Sequence, residues 1–255
     1  MRALMLLCLL TPLVSRHCSR DGAEARGVAP APSGVASAAP APEPIRVEAL
    51  EGTTPPVFVL RGRPLGPEKL VFLHGMCGHG LGYAQSFQQS AAKRGTLIAP
   101  QADVPCGDGP WARWSKDIAA LHRRITQAFR ALGHAEPVED IIVIGYSQGA
   151  TRAETLAREY PGVYTRLVLM GGPYAAKAAG LESLRAAVAM AGERDRRDLM
   201  QASARTLAAA GVPATFLLIP EATHGSMGPH PEATMDEMLT WLHEHERPRG
   251  ARSSP

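Results

Sequence analysis

The segment IIVIGYSQGATRA, residues 141–153, decides how the chain is read. Four β-branched residues run from Ile141 to Ile144 into Gly145, and the pattern turns helical after Gly149. A buried strand that passes into a helix through Gly-Tyr-Ser-Gln-Gly fits G-x-S-x-G. In that turn the serine takes strained backbone angles and presents its hydroxyl, and the flanking glycines avoid a clash with neighbouring backbone. A bend needs no serine, so Ser147 is a candidate nucleophile. The competing reading, an ordinary glycine-lined turn, stands unless the chain also supplies a base and an acid.

A serine hydroxyl becomes nucleophilic only when a base accepts its proton. Among nine histidines, His224 in PEATHGSMG follows the last predicted strand (residues 214–220) and precedes the last predicted helix (232–246). It is the preferred base, with His230 as the competitor. The base requires a carboxylate to fix its tautomer and stabilise the imidazolium. The loop after the predicted strand 185–192 offers Glu193, Asp195 and Asp198. Asp195 is preferred because it lies past the strand end and ahead of the helix 196–210; capping of that helix is the alternative role for these acids. The order Ser147, Asp195, His224 places nucleophile, acid and base along the chain.

Acyl transfer also needs donors for a tetrahedral oxyanion. The unpaired amide of Gln148, at the start of the helix 148–159, is one candidate. The amide of Met76, in HGMCGHG after the apolar run 69–75, is the other. His74 reads as support for that loop rather than as a second base. Trp111 and Trp114 in GDGPWARW, together with Tyr174 and Tyr83, are candidate pocket-lining residues, with covering of the core edge as the alternative for the tryptophans.

The rest of the chain alternates in the same way. Apolar strands are expected at 57–60, 69–75, 96–100, 141–145, 166–171, 185–192 and 214–220. Helices are expected at 83–94, 115–132, 148–159, 196–210 and 232–246 by their apolar spacing. Continuous apolar strands alternating with amphipathic helices predict an α/β fold: a mostly parallel sheet with helices on both faces. In such sheets ligands gather beyond the carboxyl ends of the strands, where every candidate above is placed.

With 255 residues, 45% hydrophobic and a net charge of +3, the composition suits one globular domain and carries no concentrated basic stripe for nucleic acid. Residues 1–18 read as a signal peptide with an uncertain cleavage site: a basic start, then the short apolar run 4–14. Cys18 admits a lipid anchor, although Arg16 and His17 replace the usual small residues. Residues 19–44, Ala/Pro-rich from Gly27 to Pro44, read as a disordered linker, residues 45–246 as the folded domain, and 247–255 as a flexible tail. These features predict an exported protein without stable membrane insertion after signal removal. In that compartment the two cysteines of the domain, Cys77 and Cys106, favour a disulfide over two buried thiols. No Cys/His cluster has metal-ligand spacing, and no cofactor is expected.

On His74-Gly75, GYSQG, GERD and the THG around His224, the chain resembles the α/β-hydrolase superfamily, and within it the group of small esterases, phospholipase/carboxylesterases and dienelactone-hydrolase-like proteins. The resemblance spans most of residues 45–246. It implies an α/β-hydrolase fold and a serine hydrolase acting on a small-molecule ester, and the short stretch between Met170 and Arg185 leaves no room for a large lid. The alternatives are a binding protein on the same fold, or a peptidase or acyltransferase using the same triad.

Overall fold

A computed structural model describes residues 45–61 and 67–249. The expected signal peptide, its Cys18, the linker and the end of the tail (250–255) lie outside the described residues. One eight-stranded sheet dominates: β1 (Arg46–Ala49), β2 (Val57–Arg61), β3 (Glu68–Leu73), β4 (Gly95–Pro100), β7 (Ile141–Tyr146), β8 (Tyr164–Met170), β9 (Ala186–Gly192) and β10 (Ala214–Ile219), in the order β1-β2-β4-β3-β7-β8-β9-β10. Only β2 runs against the others. A two-residue pair, β5 (Val104–Pro105) with β6 (Ala112–Arg113), folds back antiparallel beside it.

Strand β7 is buried at every position because both of its faces are covered. Ile141 and Val143 join a core under α3 (Ile118–Ala131), α4 (Gln148–Glu159) and α5 (Arg197–Ala209). Ile142, Ile144 and Tyr146 join a second core under α1 (Gly80–Ala84), α2 (Gln88–Arg94) and α6 (Pro231–His245). The two-residue alternation of side chains explains the split, and the parallel β3, β8 and β9 divide in the same way. No helix interrupts residues 171–185, so among the described residues no large lid is inserted there.

Three local expectations change. The helix expected at 83–94 is broken into α1, a 3₁₀ turn (Gln85–Phe87) and α2. Strand β1, exposed along its length, carries no apolar pattern and escapes a reading based on periodicity. The tail begins later than residue 247. The backbone amide of Arg247 donates to Arg185 O (2.9 Å), its guanidinium donates to Glu182 O and Leu184 O, and Arg249 pairs with Asp140 (2.6 Å).

The break before α2 is held by a residue far away in sequence. Phe87 offers no side-chain cap, but Glu232, in the first turn of α6, accepts hydrogen bonds from Gln89 N (2.8 Å), Ser90 N (2.7 Å) and Ser90 Oγ (2.5 Å). A carboxylate from another helix thus caps the positive end of α2. Glu232→Ala is expected to destabilise the fold by about 2 kcal/mol, since it orphans charge-assisted bonds. Chemical denaturation checks this; a midpoint equal to wild type would refute it.

Candidate active site

Every candidate sits at the carboxyl ends of the strands. β7 ends at Tyr146, and Ser147 follows at φ 52° and ψ −113°, in the left-handed half of backbone space that non-glycine residues rarely occupy. The turn is too tight for side chains on either flank. A Cβ on Gly149 would lie 2.0 Å from Leu73 O, and one on Gly145 2.3 Å from Gly149 O.

The structure brings Ser147, His224 and Asp195 into one hydrogen-bonded chain. Ser147 Oγ is 3.1 Å from His224 Nε2, and His224 Nδ1 is 2.9 Å from Asp195 Oδ2. A carboxylate only accepts, so Nδ1 carries the proton and Nε2 presents its lone pair to the serine hydroxyl. The side chain of Asp195 is 8% exposed and that of His224 51%: the carboxylate is sequestered while the imidazole faces solvent. Asp195 Oδ1 also accepts from Arg196 N (2.7 Å), which fixes the carboxylate. Gly171, at the end of β8 with φ 53°, supports this pair closely. A Cβ there would stand 3.1 Å from Asp195 Oδ2 and 3.4 Å from His224 Nδ1.

The competing residues are placed differently. Glu193 accepts from Glu221 N (2.9 Å) and ties the β9 and β10 loops together. Asp198 lies in the first turn of α5, where a carboxylate suits the helix dipole. His230 immediately precedes α6.

The HGM loop is braced on several sides. A Cβ on Gly75 would be 3.4 Å from Ser147 Cβ, so the loop runs against the serine, and the exposed Met76 follows. His74 is fully buried. Its Nε2 accepts from Ala102 N (3.1 Å), so its Nδ1 donates to Gly75 O (2.7 Å). Burial above all, with the neighbouring charges of His79 and Arg124, lowers its pKa to about 4. His74 is therefore a neutral brace for the loop. A disulfide joins Cys77 to Cys106 and ties this loop to the one after β4. Gln148, first residue of α4, holds an amide outside the intrahelical ladder.

The aromatic candidates separate. Trp114 is buried in the core, and its indole N–H donates to His74 O (2.7 Å). Its backbone N–H donates to Gln148 Oε1 (3.0 Å), so it spans the HGM loop and the start of α4. An indole needs a partner for its N–H when buried, and the loop carbonyl provides it. Trp111 stands 51% exposed and Met76 63% exposed beside the disulfide. Tyr174 is exposed along a groove of about 380 Å³ that Thr151, Glu154 and Arg158 of α4 also line. Tyr83 is turned inward, its hydroxyl donating to Gly225 O (2.7 Å). Sequence reasoning missed Gly171, Glu232 and the structural part of Tyr146, because each acts through contacts with residues remote in sequence.

No protein-family model matches the sequence, and no curated protein matches it. Solved structures do match. A protein described as a predicted CIB-like hydrolase from Thermoplasma acidophilum superposes with a TM-score of 0.58 at 16% identity, over 79% of this chain and 99% of that one. An esterase from Rhizomucor miehei gives 0.60 at 16%, over 79% and 83%. A ferulic acid esterase gives 0.56 at 12%, over 79% and 97%. At these identities the likeness is one of fold: the chain has the α/β-hydrolase fold.

Proposed function

We propose that the protein is a serine hydrolase that cleaves a carboxylic ester through an acyl-enzyme. The observation that carries this reading is the Ser147–His224–Asp195 hydrogen-bonded chain on a turn with φ 52°. Fold neighbours named as esterases support it.

His224 Nε2 takes the proton of Ser147 as Oγ attacks the ester carbonyl, and Asp195 stabilises the resulting imidazolium. The oxyanion is held by the Met76 and Gln148 amides. As the tetrahedral intermediate collapses, His224 returns the proton to the departing alcohol, leaving an acyl group on Ser147. Water then gives a proton to His224 and attacks the acyl carbon, and the second collapse frees the carboxylic acid and restores Ser147. Turnover declines on the acid side, because a protonated imidazole cannot accept the serine proton. The disulfide supports export to an oxidising compartment, and among the described residues no helix is long and apolar enough to cross a membrane.

Labelling with a fluorophosphonate, followed by a chain-length series of model esters and amides, tests the reading. Labelling at Ser147 with ester turnover is expected. An unlabelled protein would point to a binding role, and amide or acyl-transfer preference to a peptidase or acyltransferase. The exposed Trp111 and Met76 are proposed to receive an apolar or aromatic part of the substrate. Trp111→Ala is expected to lower kcat/KM for aromatic acyl esters about tenfold, the loss of one aromatic contact, while acetyl esters change less than twofold. Equal losses for both would remove Trp111 from substrate binding.

A further inference from the structure

The loop that carries His224 is gripped by two phenols from elsewhere in the chain. Gly225, directly after His224, donates its backbone N–H to the hydroxyl of Tyr146 and accepts at its carbonyl from the hydroxyl of Tyr83 (2.7 Å). Both main-chain groups of one residue are thereby fixed, and Gly225 takes φ +92°, a conformation open to glycine. The two rings pack on each other with centroids 4.8 Å apart, and the Tyr146 ring lies 5.4 Å from the imidazole of His224.

The origins of these residues give the contacts their meaning. Tyr146 is the last residue of β7 and immediately precedes Ser147. Tyr83 belongs to α1, in the segment that follows the HGM loop. The residue before the nucleophile therefore holds the loop of the base, and the helix beyond the oxyanion loop holds the same peptide unit. The Ser147–His224 contact of 3.1 Å is a bond between an exposed side chain and a turn. It cannot hold the loop in register by itself, since exposed pairs in water contribute little net stability.

We infer that Tyr146 and Tyr83 are positioning residues that lock Gly225, and through it the imidazole of His224, against Ser147. The inference rests on the catalytic reading of Ser147 and His224. Both hydroxyls stay protonated through neutral pH. Burial raises Tyr146 most strongly, and burial raises Tyr83 against the opposing hydrogen bond from Tyr146. The clamp thus stays intact through neutral pH. The tyrosine at the second position of G-x-S-x-G supplies a function of its own beside that of the serine.

Tyr146→Phe and Tyr83→Phe remove one oxygen each and keep the ring packing. Each is expected to lower kcat for a model ester 10- to 100-fold with KM within about twofold, because the base rather than the substrate is displaced. In a His224→Ala background, the same tyrosine changes are expected to leave the residual rate unaltered. A second readout needs no turnover: the proton NMR resonance of His224 Nδ1–H, identified by its loss in His224→Ala, is expected to broaden in both phenylalanine variants. That arm tests the clamp even if the protein hydrolyses no ester, so failure of the catalytic reading and failure of the clamp are separable. Should Tyr146→Phe fold poorly, Tyr83→Phe carries both measurements alone. Wild-type kcat with an unchanged His224 resonance, or equal losses with and without His224, would overturn the inference.

Discussion

Ser147→Ala is expected to lower ester turnover by about 10⁵-fold or more, with the fold intact. Removal of the nucleophile from a serine triad costs on that order, because the remaining base and acid have nothing to activate. The oxyanion donors survive and leave a small rate above background. Alanine keeps the Cβ, so the strained turn at φ 52° is unchanged and the melting temperature should stay near wild type. Ser147→Gly separates the two properties. It also abolishes turnover, but it releases a backbone conformation that costs of order 1–3 kcal/mol for a residue with a side chain, so it is expected to raise stability. Single-turnover rates and thermal melts of both variants test this. Retained turnover in Ser147→Ala would remove the catalytic assignment, and a glycine variant less stable than wild type would remove the argument from strain.

Arg166→Ala is expected to cause the largest loss of stability. Arg166 enters at the amino ends of the strands, opposite the candidate site, and its side chain is 4% exposed. It pairs with Glu68 (2.9 Å), Asp140 (3.4 Å) and Glu246 (3.3 Å). Removing one partner of a buried pair typically costs 3–5 kcal/mol, because the abandoned charge stays desolvated. Arg185 still pairs with Asp140 and Glu246 (both 2.8 Å), so the lower end, about 3 kcal/mol, applies. For a chain of this length that is a fall in Tm of roughly 6–12 °C, with turnover little changed.

The same cluster fixes a sign for the acid limb. Burial by itself would raise the carboxyl of Asp140, but hydrogen bonds from Thr165 and Arg249, the charge of Arg166 and the bond from Arg185 outweigh it and hold it well below the usual carboxylate range. Its folded-state pKa is therefore depressed. The stability it contributes is present above the unfolded value of about 4 and is lost as pH falls through the folded one. The gap between wild type and Arg166→Ala should accordingly narrow below about pH 4. A gap that widens there would contradict the assignment.

Much of this molecule is legible in the chain. The apolar runs of β3, β7 and β8 are continuous because both faces of the sheet are covered, and that alone predicts a parallel α/β fold. The serine turn is legible because its glycines have no other use. The order of Ser147, Asp195 and His224 follows from the positions of strand ends, and strand ends are local features. The separate places of Trp111 and Trp114 are not legible from their neighbourhood in sequence. Two tryptophans in one short segment look alike, and only packing sends one to the core and leaves the other exposed.

What the sequence by itself determined, then, is the layered fold and the placement of Ser147, Asp195 and His224 beyond the strand ends, since hydrophobic periodicity and turn chemistry act over a few residues. What only the tertiary structure decided is how those groups are held. Glu232 caps a helix from 142 residues away, Tyr83 reaches Gly225 across 142, and Arg166 gathers carboxylates from three segments. Such contacts depend on close packing and hydrogen-bond satisfaction between distant segments, and no local pattern encodes which partner will be met.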